Sequence, residues 1–79
     1  MSPNPIRAEL RDWFYDDDRN CWRGEIHADR EDVYPDGQTF FINVRQVKEV
    51  RDHFDKMILE TTTGEEFILW KKYQLKRPV

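Results

Sequence analysis

The stretch Cys21-Trp22-Arg23-Gly24-Glu25-Ile26-His27-Ala28-Asp29 decides the fold. Trp22, Gly24, Ile26 and Ala28 fall on one side of a period-two pattern, and Cys21, Arg23, Glu25, His27 and Asp29 on the other. Such alternation marks a strand with one buried face. It predicts the central strand of a small β domain.

Upstream, Ile6, Ala8 and Leu10 alternate with Arg7, Glu9 and Arg11 to give a first strand. Trp13, Phe14 and Tyr15 break the alternation, which a bulge near Asp12 would explain by changing which face is buried. Asp16-Asp17-Asp18-Arg19-Asn20 is polar turn material, so residues 6–29 read as one antiparallel hairpin. Downstream, Pro35-Asp36-Gly37 signals a turn in the loop 30–38. A third strand starts at Thr39 and includes Phe40, Phe41 and Ile42.

Residues 43–54 have two readings. Val44, Val47, Val50 and Phe54 are spaced as on a helical face, and Asn43 with Gln46 fits a capping box. Alternatively Val47 to Arg51 is a strand with its turn at 52–55. The strand is preferred, because the next segments continue a meander: Met57, Leu59 and Thr61 alternate, Thr62-Thr63-Gly64-Glu65 turns, and Phe67 and Leu69 alternate again. Five to six short strands predict an all-β, or mainly β, domain. The expected form is a small antiparallel, strongly bent sheet or barrel of SH3-like or OB-like size, with a short helix within 43–54 as the open alternative.

The chain has 79 residues, which implies one domain, 1–79, burying roughly 60% of its unfolded-chain surface. Residues 1–5 read as a frayed leader and 71–79 as a basic C-terminal end. Charged residues make up 37% of the chain, but aromatics make up 14%, and a disordered chain would be poor in them. The single cysteine, Cys21, excludes an intrachain disulfide and so a disulfide-stapled extracellular domain. No apolar run resembles a signal peptide or reaches membrane-spanning length, so the cytoplasm is the expected location. Charge is uneven: from Asp12 to Asp36 nine acids face three arginines, whereas Lys71, Lys72, Lys76 and Arg77 form an end without acids.

Catalytic and metal chemistry find little to stand on. Cys21 and His27 share a strand face but lie ~20 Å apart along an extended chain, too far to act as nucleophile and base. Two histidines and one cysteine match no zinc spacing. Asp16, Asp17 and Asp18 lack the alternate ligand positions, mid-loop glycine and closing glutamate of a calcium loop. No cofactor, metal site or catalytic residue is implied, and an enzyme is not expected. Gly24 marks either a bulge or a close approach by another chain or a large ring, or it makes room for Trp13 or Trp22 across the strands, which is the preferred reading.

Two binding readings remain. Trp13, Tyr15, Trp22 and Tyr34 beside Asp16, Asp17 and Asp18 offer aromatic anchors in an acidic field. These suit a protein partner that is basic, including one that normally binds nucleic acid. On this reading Trp13→Ala weakens capture without unfolding the domain. The alternative is a single-stranded nucleic-acid module in which Trp70 and Tyr73 stack bases while Lys71, Lys72, Lys76 and Arg77 meet phosphates. An exposed strand edge could also pair two copies into a homodimer.

The segments Ala8-Glu9-Leu10-Arg11-Asp12-Trp13, Gly24-Glu25-Ile26-His27-Ala28-Asp29 and Asp36-Gly37 resemble a group of short uncharacterised proteins encoded by tailed phages and prophages of proteobacteria. Their pattern is an Ala-x-Leu-x-x-Trp strand, a Gly-x-Ile-x-x-Asp strand, an Asp-Gly turn and a C-terminal hairpin. The resemblance covers roughly residues 8–69. The group often has Thr-Ser after the third strand, where this chain has Asn43-Val44. The resemblance implies an accessory phage or mobile-element protein directed at a host or self protein, and it supplies no catalytic residues.

Overall fold

A computed structural model describes residues 5–75. Among them the chain forms β1 (Ile6–Asp16), β2 (Cys21–His27), β3 (Gln38–Asn43), β4 (Val47–Asp52), β5 (Lys56–Thr61) and β6 (Glu66–Trp70). Single 3₁₀ turns follow β3 (Val44–Gln46) and β6 (Lys71–Tyr73). The domain is therefore mainly β, and no helix among the described residues is long and apolar enough to cross a membrane. Of the expected leader only Pro5 is described. It is held, because its carbonyl accepts the Glu66 N–H at 2.8 Å.

The strands form one sheet in the order β3-β2-β1-β6-β5-β4. Four neighbouring pairs are antiparallel, as expected, but β1 and β6 run parallel. The cause lies in residues 43–54, where the strand reading holds and the helical face of Val44, Val47, Val50 and Phe54 does not form, although its capping box does. The Asn43–Gln46 capping box forms, with the Asn43 side chain accepting the Arg45 N–H at 2.9 Å and the Gln46 side chain accepting the Asn43 N–H at 3.1 Å. It caps only one 3₁₀ turn, after which Val47 and Val50 pair with Thr61 and Leu59 as a strand. A hairpin at this point would reverse the chain. The 3₁₀ turn carries it onward instead, so β4 runs in the sense of β3, and the following meander delivers β6 parallel to β1.

The same turn bends the sheet. β3 and β4 are its opposite edges, yet only three residues separate them, so the sheet must roll up. Val44 N–H to the Asn20 carbonyl and Thr62 N–H to the Gln46 carbonyl, each 2.9 Å, fasten that corner. Across the rolled interior Phe40 meets Phe67, ring centroids 5.4 Å apart. The inner face carries Ala8, Leu10, Trp13, Ile26, Ile42, Leu59, Phe67 and Leu69, all buried. Leu10 faces Ile26 on one side and Leu69 on the other.

The bulge expected near Asp12 is present. Arg11 pairs with Glu25 and Phe14 with Arg23, so Asp12 and Trp13 together oppose Gly24. Asp12 takes φ 49°, a left-handed conformation that Asp tolerates better than most residues. Gly24 makes room for Trp13: a β-carbon there would stand 2.9 Å from Trp13 Cβ and 3.1 Å from the Arg11 carbonyl oxygen. Neither atom is the end of a flexible side chain. Gly24→Ala is therefore expected to cost about 2 kcal/mol by overpacking and to lower the thermal midpoint by roughly 10 °C. Gly64→Ala, at φ 88° with open space around the added carbon, should cost only about 1 kcal/mol of left-handed strain. Urea and thermal unfolding followed by circular dichroism check both, and equal losses would refute this role of Gly24.

Candidate protein-binding site at the β1–β2 hairpin

The hairpin tip is built by Asp16. Its carboxylate accepts the N–H groups of Asp18 at 3.0 Å and Arg19 at 3.3 Å, an Asx turn that makes the reversal local. It also lies 3.8 Å from the Arg23 guanidinium, and its side chain is only 12% exposed. Asp16 is thus committed to the turn. Asp17 and Asp18 are exposed. Behind them Tyr15 and Trp22 are cross-strand partners with ring centroids 4.6 Å apart, edge to face, both half-buried.

Two of the expected anchors lie elsewhere. Trp13 is 1% exposed and donates its indole N–H to the Trp70 carbonyl at 2.9 Å. The bulge turns it inward, so it cannot touch a partner, and Trp13→Ala would damage the core rather than leave the fold intact. Tyr34 sits in the β2–β3 loop at the far end of β2, against Phe40 and beneath the Arg7 guanidinium. Asp29 holds it there. The Asp29 carboxylate accepts the N–H groups of Glu31, Val33 and Tyr34 and pairs with Arg7, its side chain 1% exposed.

Other residues take the places of Trp13 and Tyr34. On the outer face the Arg23 guanidinium lies 5.6 Å from the Phe14 ring centre and 5.0 Å from that of Phe41. Phe41 is 50% exposed. Asp12, Phe14, Arg23, Glu25, Thr39 and Leu75 line a groove of about 320 Å³ beside the bulge. In the sequence Phe41 reads only as one residue of an apolar run, and its outward direction follows from pairing with Arg23. Leu75 reaches the groove because its N–H donates to the Trp13 carbonyl at 2.8 Å. No local pattern announces that contact.

The basic end is also assembled, though its charges are partly engaged. Trp70 donates its indole N–H to Glu9 at 2.8 Å. Lys56 and Lys72 stand over the Trp70 ring, and Lys72 and Arg11 over Tyr73. Lys71 is paired with Asp52 at 2.6 Å. Lys76 and Arg77 lie outside the described residues. Nearby, Phe54 at the β4–β5 turn is fully exposed. Among the described residues no group of three or more His, Cys, Asp or Glu side chains could hold a metal ion. Comparison with protein-family models, curated proteins and solved structures finds no match to this chain.

The Arg7 guanidinium, and after it the loop N–H groups, hold the Asp29 carboxyl well below the usual carboxylate range, against the opposing effect of burial. A carboxyl with a lowered folded-state pKa contributes stability above its unfolded pKa of about 4 and loses it as pH falls through the folded value. Asp29→Asn should therefore be less stable than the parent at pH 7 by about 2 kcal/mol. The gap should narrow as pH drops below about 4. Urea unfolding at pH 7, 4 and 2.5 checks this, and a pH-independent difference would remove the assignment.

Proposed function

We propose that this protein is a non-enzymatic interaction module that binds a basic protein partner through the acidic tip of its β1–β2 hairpin. The reading is supported chiefly by one observation: Asp17 and Asp18 project from a turn that Asp16 makes rigid, in front of the half-buried Tyr15–Trp22 pair. An ordered tip loses little conformational entropy on binding. An acidic field speeds encounter with a positively charged partner. Aromatics behind it supply contact area where interfaces concentrate their energy. The resemblance to phage and prophage proteins fits a cytoplasmic accessory protein directed at a host or self protein, including one that itself handles nucleic acid.

The rival is single-stranded nucleic-acid binding at the basic end. It is supported by Lys72 beside Trp70 and Tyr73 and opposed by the engagement of Lys71 and of the ring faces there. The two readings separate in one titration at low and moderate salt, using an arginine-rich decapeptide and a dT20 oligonucleotide. The expected result is salt-sensitive peptide binding that falls about tenfold or more, roughly 1.4 kcal/mol, in Asp17→Lys/Asp18→Lys, whose melting temperature stays that of the parent. Absence of peptide binding at low salt, or indifference to the reversal, would overturn the proposal. Salt-dependent dT20 binding lost on Lys71→Glu/Lys72→Glu would put the rival in its place.

A further inference from the structure

The outer-face groove beside the bulge has the chemistry of a receptor for one side chain. Its volume of about 320 Å³ is at the small end of ligand pockets, which span roughly 300–1,000 Å³. Phe14 and Leu75 supply apolar wall, and Leu75 is 45% exposed. Of the charged residues lining it, Arg23 is matched by Asp16 at 3.8 Å. That leaves two carboxylates, Asp12 and Glu25. Among the described residues the ion pair of Glu25 is with His27, at 3.5 Å, while Arg11 opposite it on β1 is turned to Glu9. Asp12 is exposed on a backbone turned to φ 49° by the bulge, and bulges re-aim side chains in this way at binding sites.

We infer that the groove takes an arginine side chain of the basic partner. Its guanidinium would lie between the carboxylates of Asp12 and Glu25, and its methylenes against Phe14 and Leu75. Charge complementarity selects a cation. The two carboxylates select arginine over lysine, because a planar guanidinium meets both of them through several fixed donors where an ammonium is a single point charge. The molecule already holds one guanidinium against the groove's aromatic wall: Arg23 lies over Phe14, and over Phe41 outside the groove. The flat, weakly hydrated head of arginine tolerates such packing better than an ammonium does.

This inference rests on the protein-binding reading and assigns its specificity. The test compares arginine-rich and lysine-rich decapeptides of equal charge on three proteins. These are the parent, the groove variant Asp12→Asn/Glu25→Gln and the tip variant Asp17→Lys/Asp18→Lys. Asn tolerates positive φ as Asp does, so the bulge survives in the groove variant. The parent should prefer the arginine peptide about fivefold. The groove variant should lose that preference, and the tip variant should bind both peptides more weakly while keeping it. Amide shifts on arginine-peptide addition should centre on Gly24, Thr39 and Leu75. A parent without preference, or a groove variant that retains it, overturns the groove assignment while leaving the tip reading standing. Failure of the parent to bind either peptide at low salt overturns both.

Discussion

The packing of Trp13 against the bare backbone of Gly24 is the contact on which the rest of the molecule depends. Without a bulge, strict alternation from Leu10 would send the side chain at 13 to the outer face. The extra residue at Asp12 turns the indole inward instead. There it is buried, and it ties three parts of the chain together. Its N–H reaches the Trp70 carbonyl at the end of β6, while its own carbonyl receives the Leu75 N–H. One residue thus joins the centre of β1 to the end of the last strand and the segment beyond. The same bulge exposes Asp12 and brings Leu75 to the outer face, so core and groove share one cause.

The rolled sheet has a second, independent origin. Its edges are joined by a turn too short to let them separate, and the Asn43–Gln46 capping box fixes the direction in which the chain leaves that turn. Because the direction is preserved, β6 meets β1 in parallel, an arrangement that normally needs a long crossover. Here the crossover is the β4–β5 hairpin together with the strands that precede it. Two local devices, a bulge and a capped 3₁₀ turn, therefore set a topology that neither describes by itself.

What the sequence made legible follows this division between local and non-local. The alternation of Trp22, Gly24 and Ile26, the bulge at Asp12 and the turn glycines Gly37 and Gly64 are nearest-neighbour signals, and each led to the observed element. But the alternation fails at Ala28, exposed at φ 56° beyond the end of β2, and β2 lies second from the sheet edge rather than at its centre. The capping pair at Asn43 and Gln46 was visible too, but its length was not. Whether Val47 extends a helix or starts a strand is decided by Thr61 and Leu59, more than ten residues away. The parallel pairing was hidden for the same reason. Among the site residues, Asp17 and Asp18 were legible as a polar tip. Trp13 and Tyr34 were misplaced because an aromatic near an acidic run looks the same whether it faces core or solvent. Phe14, Phe41 and Leu75 were missed because only strand register and one long-range hydrogen bond bring them together.

The abundance of charge gains meaning from where it is left unmatched. Arg51 is surrounded by Glu49, Glu60 and Glu66, which hold its guanidinium firmly protonated. Arg7 joins Asp29, Glu31 and Glu65 across the mouth of the rolled sheet. Apart from the buried Arg7–Asp29 pair, such surface pairs individually contribute little to stability. Together with Lys48, Lys56, Lys71 and Lys72 they leave the charges of the β4–β5–β6 half nearly balanced. The cancellation does not extend to Asp18 at the hairpin tip or to Asp12 at the bulge, whose carboxylates meet no basic side chain among the described residues. The residual negative charge therefore falls on the β1–β2 hairpin and on the β2–β3 loop, where Asp32 and Asp36 also form no ion pair among the described residues. An approaching molecule feels this residual charge only within the screening length of about 10 Å at 0.1 M salt.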